Sequence, residues 1–180
     1  MRPMVSPVLL GLVCLLLAMP GTPAVAAAQP APVTGPGART AADDARLTTL
    51  SAATFERRLF NRINARRDAR GCRLLRLNSA LVRAARSHSS LMASRREFSH
   101  RVAGESSFAT RITRAGYTRW RIIAENLAYG QATPRAVVRA WVRSRGHRAN
   151  LDNCRLRDVG YAVVMSGGRP WITADFGRRR

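Results

Sequence analysis

The first segment with a clear pattern of apolar positions is a predicted amphipathic helix. Phe55, Leu59 and Ile63 lie four residues apart and so share one face of a helix. Thr54 is a suitable cap residue in front of them, and Gly71 is a suitable stop after them. The ordered part of the chain is therefore expected to begin near Thr54.

A second, longer helix is predicted after Asn78 or Ser79, either of which can cap it. Its apolar stripe recurs at spacings of four, three and four: Leu81, Ala85, His88 and Met92. A histidine in such a stripe is either a buried side chain bonded to a backbone carbonyl or a ligand. The helical spacing favours the structural role for His88.

The segment from Arg96 to Arg101 breaks the helical pattern. Phe98 is expected to anchor this loop, which carries His100. A short helix follows, with Phe108 and Ile112 four residues apart. The pattern therefore places a titratable side chain on a connection between two helices.

The run from Trp120 to Ala128 is mostly apolar and is predicted to form a strand. Glu125 and Asn126 interrupt it. A carboxylate and an amide in a buried strand need hydrogen-bond partners. Glu125 is therefore a better candidate for a site residue than the acidic residues of the polar segments.

Thr133 and Pro134 start the next predicted helix, as its cap and its first-turn proline. The apolar face of this helix consists of Val137, Val138 and Trp141. The helix leads into residues 140–150, A-W-V-R-S-R-G-H-R-A-N, which contain His147. On these residues alone, His147 is either a structural histidine or part of a site.

The last part of the chain changes to a pattern typical of strands. Val159 to Met165 and Trp171 to Phe176 are two β-prone runs around Ser166-Gly167-Gly168, which predicts a hairpin. Apolar residues on both faces of these runs indicate a sheet that helices cover on both sides. The predicted fold class is α+β, with helices packed on a small, mainly antiparallel sheet.

Four segments divide the chain. Residues 1–28 are typical of a secretory signal peptide, with Arg2 at the start, an apolar stretch and small residues at the cleavage position. The apolar stretch is too short for a membrane span, so the mature protein is expected to be secreted and to have no integral membrane span. Residues 29–53 are expected to form a flexible leader, 54–177 the domain, and 178–180 a solvated basic tail.

Export changes the interpretation of the cysteines. Cys72 and Cys154 are the pair that remains after removal of the signal peptide. An oxidising compartment favours a disulfide between them. The alternative is two unconnected buried thiols.

The chain carries 31 basic and 10 acidic residues, a formal charge of +21, and every basic residue is arginine. Such a charge attracts polyanions, which include wall polymers, acidic lipid head groups and nucleic acid. The arginines are scattered along the chain and aromatic residues make up 6% of it, whereas nucleic-acid readers carry a basic stripe or aromatics placed for stacking. A specific nucleic-acid function is therefore not expected.

Eight short motifs, in this order, resemble the CAP superfamily, also called the SCP domain family, which includes cysteine-rich secretory, antigen 5 and pathogenesis-related proteins. They are L-F-N-R-I-N-A-R-R, A-A-R-S-H-S-S-L-M-A, F-S-H, A-G-Y, A-E-N-L-A-Y-G, A-W-V-R-S-R-G-H-R-A-N-L, D-V-G-Y-A-V-V and W-I-T-A-D-F-G. The chain is most similar to the bacterial secreted branch, over residues 55–177. The resemblance implies an α-β-α sandwich with a cleft on one side, and it supports a bridge between Cys72 and Cys154.

The resemblance also implies a cleft with two histidines and two acidic residues, in which the histidines can hold a divalent metal, usually zinc. The matching positions are His100 in F-S-H, His147 in G-H-R-A-N and Glu125 in A-E-N. The fourth position falls on Ser144, which cannot serve as a base unaided and brings no negative charge. Asn126 is expected to line the same cleft.

Two imidazoles and water make an open zinc site, whereas catalytic zinc usually has three protein ligands. Glu125 is either the third ligand or an outer acceptor that fixes the tautomer of one imidazole. The alternative to a zinc site is a polar cleft that orients hydrogen bonds and binds metal incidentally.

Three functions remain as hypotheses. The family resemblance favours a non-enzymatic extracellular module that binds a lipid, an anionic cell-wall polymer or a partner protein. The second is a metal-assisted hydrolase or peptidase that uses Glu125, His147 and His100; the lack of H-E-x-x-H and G-x-S-x-G motifs and the serine at 144 weigh against it. The third is a polyanion binder that works through charge alone. No feature of the sequence sets the oligomeric state.

Overall fold

The computed structural model describes residues 41–180, with side chains from Ala52 onward. The predicted signal peptide and residues 29–40 of the predicted leader lie outside the described residues. The elements, in chain order, are α1 (Ala41–Asp68), β1 (Arg76–Leu77), α2 (Ser79–Arg95), α3 (Phe108–Arg114), β2 (Trp120–Tyr129), α4 (Pro134–Arg143), α5 (Arg145–Leu151), β3 (Asp158–Ser166) and β4 (Arg169–Arg179).

Four of these elements form one sheet in the order β1-β3-β4-β2. The strands β3 and β4 pair antiparallel as a hairpin, β2 pairs antiparallel with β4, and the short β1 runs parallel to β3. Gly167 and Gly168 make the hairpin turn with φ values of 57° and 70°, a conformation that glycine adopts without a steric cost. The predicted hairpin is confirmed, and β2 lies at one edge of the sheet.

Helices cover both faces of the sheet. On one face, α1 and α4 enclose the larger core, in which the side chains of Leu59, Ile63 and Val137 are fully buried against β3 and β4. On the other face, α2 and α3 pack with β2 and β4. The predicted α+β class and α-β-α sandwich are confirmed.

Two local contacts show how closely the helices approach the sheet. A side chain at Gly160 of β3 would place its Cβ 2.1 Å from the backbone of Leu81 in α2, so α2 rests directly on this strand. On the opposite face, Trp141 of α4 is 1% exposed and its indole Nε1 donates to the carbonyl oxygen of Leu127 at 2.7 Å. Trp141 is therefore the core anchor of its helix.

Most helix ends follow the chemistry of the sequence. Asn78 caps α2, since its side chain accepts from the backbone N–H groups of Ala80 and Leu81. Thr133 caps α4 in the same way. After α1, Gly71 has a φ of 67° and the N–H of Cys72 donates back to the carbonyl oxygen of Arg67, which is the usual way in which a glycine ends a helix.

The predicted start of the ordered chain at Thr54 is wrong, because α1 begins at Ala41. Residues 41–53 were assigned to the flexible leader. This stretch is rich in alanine and contains neither glycine nor proline, so its propensity allows the helix to extend toward the N-terminus without an apolar stripe.

The predicted tail at residues 178–180 is also largely wrong. The strand β4 continues to Arg179, where it pairs with Trp120 of β2. The N–H of Arg180 donates to the carbonyl oxygen of Arg119 at 2.9 Å. Pairing with a neighbouring strand orders these arginines, although their composition alone suggests a solvated end.

The predicted disulfide is confirmed between Cys72 and Cys154, whose Cα atoms are 4.8 Å apart. It joins residues 82 apart in sequence, and closure of a loop of that length in the unfolded chain stabilises the fold by about 4 kcal/mol. None of the described helices combines the length and apolar character that a membrane crossing needs.

Candidate functional site

The candidate site lies along the edge strand β2, where neighbouring side chains point to opposite faces of the sheet. Glu125 is 7% exposed and faces the layer of α2 and α3. Asn126 is fully buried and faces α5. Two consecutive residues of one strand therefore connect the elements on both sides of the edge.

Glu125 uses both carboxylate oxygens within the protein. The Nδ1 atom of His100 donates to its Oε1 at 2.7 Å. The guanidinium of Arg111, on α3, donates through Nη2 to its Oε2. The predicted partnership of His100 and Glu125 thus appears as a direct hydrogen bond, with a buried carboxylate and an imidazole that is 60% exposed.

Arg111 extends this contact into a buried chain of polar groups. Its Nη1 donates to Oε1 of Glu105 at 3.0 Å, and the same oxygen lies 2.9 Å from Nδ1 of His88. The other ring nitrogen of His88, Nε2, donates to the carbonyl oxygen of Ser99 at 3.0 Å. His88 is fully buried and has the structural role that its helical position predicts.

This chain of contacts also organises the loop between α2 and α3. Oε2 of Glu105 accepts the N–H of Val102, which is fully buried. Phe98, the predicted anchor of the loop, is 51% exposed and contacts the ring of Tyr129 at a centroid distance of 6.2 Å. The loop is therefore held mainly by buried polar groups: His88 contacts the backbone of Ser99, and Glu105 contacts the backbone of Val102.

Asp175 is a site residue that the sequence analysis missed. It lies on β4 directly opposite Glu125 in the antiparallel register, and it is completely buried. Neither of its oxygens has a hydrogen-bond donor among the described residues. Burial, followed by the charge of Glu125, raises the pKa of Asp175 well above its usual value. Asp175 is therefore biased toward its protonated, neutral form.

Asp175 places a second carboxyl group beside Glu125, on the neighbouring strand. The signal was present in the sequence, since a charged residue interrupts the apolar run from Trp171 to Phe176 just as Glu125 interrupts its own run. Ser144 itself joins α4 and α5 in an extended conformation, and its side chain makes no cap hydrogen bond to α5.

His147 lies on α5 at the other side of the edge strand. The side-chain amide of Asn126 donates to its carbonyl oxygen at 3.1 Å, and Asn150 donates to Oδ1 of Asn126 at 2.8 Å. Burial lowers the pKa of His147, and the positive charge of His100 lowers it further. The hydrogen bond to Glu125 raises the pKa of His100. The two imidazoles are therefore biased toward opposite protonation states.

Among residues 52–180, no three histidine, cysteine or acidic side chains come together in a group that could hold a metal ion. Glu125 is turned toward Arg111 and His100 instead, which corresponds to the outer-acceptor arrangement. Two large grooves, of about 680 and 630 Å³, lie away from both histidines. The histidines flank an open edge of the sheet.

We expect separate titrations of the two cleft histidines in NMR spectra. His100 should titrate above the usual pKa of 6.5 and His147 below it. In Glu125→Gln the main cause of the raised value is removed while burial remains, so the pKa of His100 should fall. The variant Glu56→Gln, on α1, is the control and should leave both values unchanged. An unchanged His100 pKa in Glu125→Gln would contradict the assignment.

Asp175→Asn should change the pH dependence of stability. Between the usual pKa of 3.8 and the raised native value, the native state binds one more proton than the unfolded state, so stability falls as pH rises. The slope is at most about 1.4 kcal/mol per pH unit. Asparagine does not titrate, so the cost of holding a buried carboxyl group protonated is absent, and the variant should be more stable than wild type at neutral pH in urea unfolding. Asp68→Asn, at an exposed position, is the control, and its plot of unfolding free energy against pH should follow that of wild type. If the plot for Asp175→Asn runs parallel to that of wild type, Asp175 is not protonated in the native state.

Known proteins resemble this chain over most of the described domain. Residues 60–176 match the family described as CAP, the cysteine-rich secretory protein family. A curated relative, the uncharacterized protein YkwD of Bacillus subtilis, is 29% identical over 117 residues, which are 65% of this chain and 45% of the relative. The chain thus spans less than half the length of that protein.

Solved structures share the fold at low sequence identity. An extracellular protein of Bacillus anthracis that contains an SCP domain is 23% identical, with a TM-score of 0.69 over 80% of this chain and 45% of that protein. An outer surface protein of Borrelia burgdorferi is 21% identical, with a TM-score of 0.64 over 69% of this chain and 92% of that protein. With the family match across nearly the whole described domain, the chain belongs to the CAP family of cysteine-rich secretory proteins.

Proposed function

We propose that this protein is an exported, non-enzymatic binding module that engages an anionic polymer of the cell envelope. The predicted signal peptide at residues 1–28 supports export. The extracellular and outer-surface descriptions of the two structural relatives support the same location. A formal charge of +21 supports an anionic ligand.

The burial of Glu125 is the observation that favours binding over hydrolysis. A general base must reach the proton of a water or a substrate, and the Glu125 side chain is only 3% exposed. In Glu125 one oxygen accepts from His100 and the other from Arg111. Ser144 brings no second base. The carboxylate therefore acts as a positioning group that holds an exposed imidazole at the edge of the sheet.

The donor set suits a divalent metal held by the two imidazoles. His100 uses Nδ1 for Glu125, and its Nε2 makes no hydrogen bond with the described residues. A carboxylate behind a ligating imidazole fixes its tautomer and raises its basicity. The lowered pKa of His147 favours the neutral form that a metal requires. A bound metal would supply a positive centre that attracts anionic groups of a ligand.

Zinc titration by calorimetry tests this part of the proposal. His100→Ala and His147→Ala should each weaken binding at least tenfold, and Glu125→Gln by about tenfold, as is typical for outer acceptors. Glu56→Gln, on α1 and outside this network of contacts, is the control and is checked for folding by circular dichroism. Affinity should fall as pH falls, beginning above pH 6.5 because the pKa of His100 is raised. Equal affinity in all variants would remove the metal site.

Retention on isolated cell walls tests the binding function itself. Because the attraction is electrostatic, we expect wild-type protein to bind at low ionic strength and to elute as salt rises. Walls stripped of their anionic polymers should retain less protein than intact walls. Retention that is indifferent both to salt and to stripping would reject the proposal.

A further inference from the structure

A second concave region lies at the end of the sheet where β1 begins and β4 ends. Its volume is about 630 Å³, and six arginines line it: Arg73, Arg76, Arg157, Arg178, Arg179 and Arg180. We call it the arginine groove. It is formed by a different part of the fold from His100, Glu125 and His147.

The topology of the sheet brings these arginines together from three separate parts of the sequence. Arg76 of β1 pairs with Asp158 at the start of β3, and Asp158 pairs with Gly177 near the end of β4. The last residues of β4 therefore lie beside the first residues of β1 and β3. The scattered arginines of the sequence become a local cluster in the fold.

Two of these side chains are held in place without a ligand. Nη1 of Arg157 donates to the carbonyl oxygens of Cys154 and Leu156. The guanidinium of Arg179 lies 4.9 Å from the centre of the Tyr117 ring. A guanidinium that is already oriented loses less conformational entropy when it binds an anion.

The positive charge of the groove is largely uncompensated. Asp158 is the acidic residue among its lining side chains. One of its oxygens accepts from the hydroxyl of Tyr117 at 2.8 Å, and the other lies 3.8 Å from Nη2 of Arg76. Like charges that line one groove repel one another, and a bound polyanion would relieve the repulsion.

We infer that the arginine groove is a binding site for a linear polymer that carries phosphodiester groups. Arginine suits such groups because its planar guanidinium binds phosphate oxygens in a bidentate manner. No aromatic side chain is among the groove-lining residues, whereas sites for single-stranded nucleic acid stack bases on aromatic rings. A recess admits a thin polymer chain. It cannot insert into the groove of a duplex, as a protruding helix does.

The groove itself follows from the geometry, while the choice of an envelope polymer rests on the proposed function. Among polymers with phosphodiester groups, a poly(glycerol phosphate) chain has no bases to stack. It is therefore the probe that matches the chemistry of the lining. Its interaction with the protein should depend on these arginines and should be insensitive to His100 and His147.

The experiment measures binding of purified poly(glycerol phosphate) to the mature protein over a range of salt concentrations. The test variant is Arg73→Gln/Arg76→Gln/Arg180→Gln, at three exposed groove positions. The control is Arg57→Gln/Arg139→Gln/Arg143→Gln, at exposed positions on α1 and α4, which has the same net charge. Thermal unfolding of both verifies that they are folded.

The test variant should bind at least tenfold more weakly than wild type, and its salt slope should fall by about 2, since each lost phosphate contact removes about 0.7. The control variant should stay within about twofold of wild type, as expected for distant, screened charges. Equal losses in both triple variants would overturn the groove in favour of general charge. Single-stranded DNA of equal phosphate number that binds as tightly as the polymer would overturn the polymer assignment.

The outcome separates the groove from the proposed function. Polymer binding that depends on the three groove arginines, together with no retention on cell walls, would uphold the site and reject the envelope function. Wall retention with no difference between the two triple variants would uphold the function and reject the groove.

Discussion

Arg111 is the buried cation on which the order of the cleft depends. It is 6% exposed, and its guanidinium binds the carboxylates of Glu105 in the loop between α2 and α3 and of Glu125 in β2. A buried charge is tolerated only when it is paired and hydrogen-bonded, and loss of one partner typically costs 3–5 kcal/mol. Because Glu125 in turn holds His100, the position of an exposed imidazole is set by an arginine that solvent hardly reaches.

A second buried arginine, Arg67, is compensated by backbone carbonyl oxygens and not by carboxylates. Arg67 is completely buried, and its guanidinium donates to backbone carbonyl oxygens on both sides of the disulfide. The acceptors are those of Arg73, Leu151, Asn153 and Leu156. Burial lowers the pKa of Arg67. Carbonyl dipoles compensate this charge, so the loops around the Cys72–Cys154 bridge are fixed by main-chain contacts that do not depend on which side chains those loops carry.

The carboxyl groups beside His100 come from the strands of the sheet and not from position 144, which is a serine. Negative charge in the cleft comes from Glu125, and a second carboxyl group lies beside it on β4 at Asp175. Of these two carboxyl groups, Asp175 is completely buried, and its raised pKa favours its neutral form.

Local signals predicted most of the fold and part of the site. Helical spacing, the Asn78 cap and the Gly-Gly turn each report on a few neighbouring residues, so one sequence suffices to find them. The start of α1 and the end of β4 depend on contacts or propensity beyond such signals. Asp175 was missed for a related reason: its meaning comes from cross-strand register with Glu125, which the sequence of either strand alone does not contain.

The disulfide has a consequence for how the domain responds to a cut in its chain. The ring that Cys72 and Cys154 close contains α2 through α5, and with them His100, Glu125 and His147. A protease that cuts the exposed connection between α2 and α3 would leave two pieces that remain covalently joined, and β3 and β4 would still pair beside them. Exposed loops are the preferred sites of proteolytic nicking, and a nick at this loop would therefore interrupt the chain without releasing any part of the cleft.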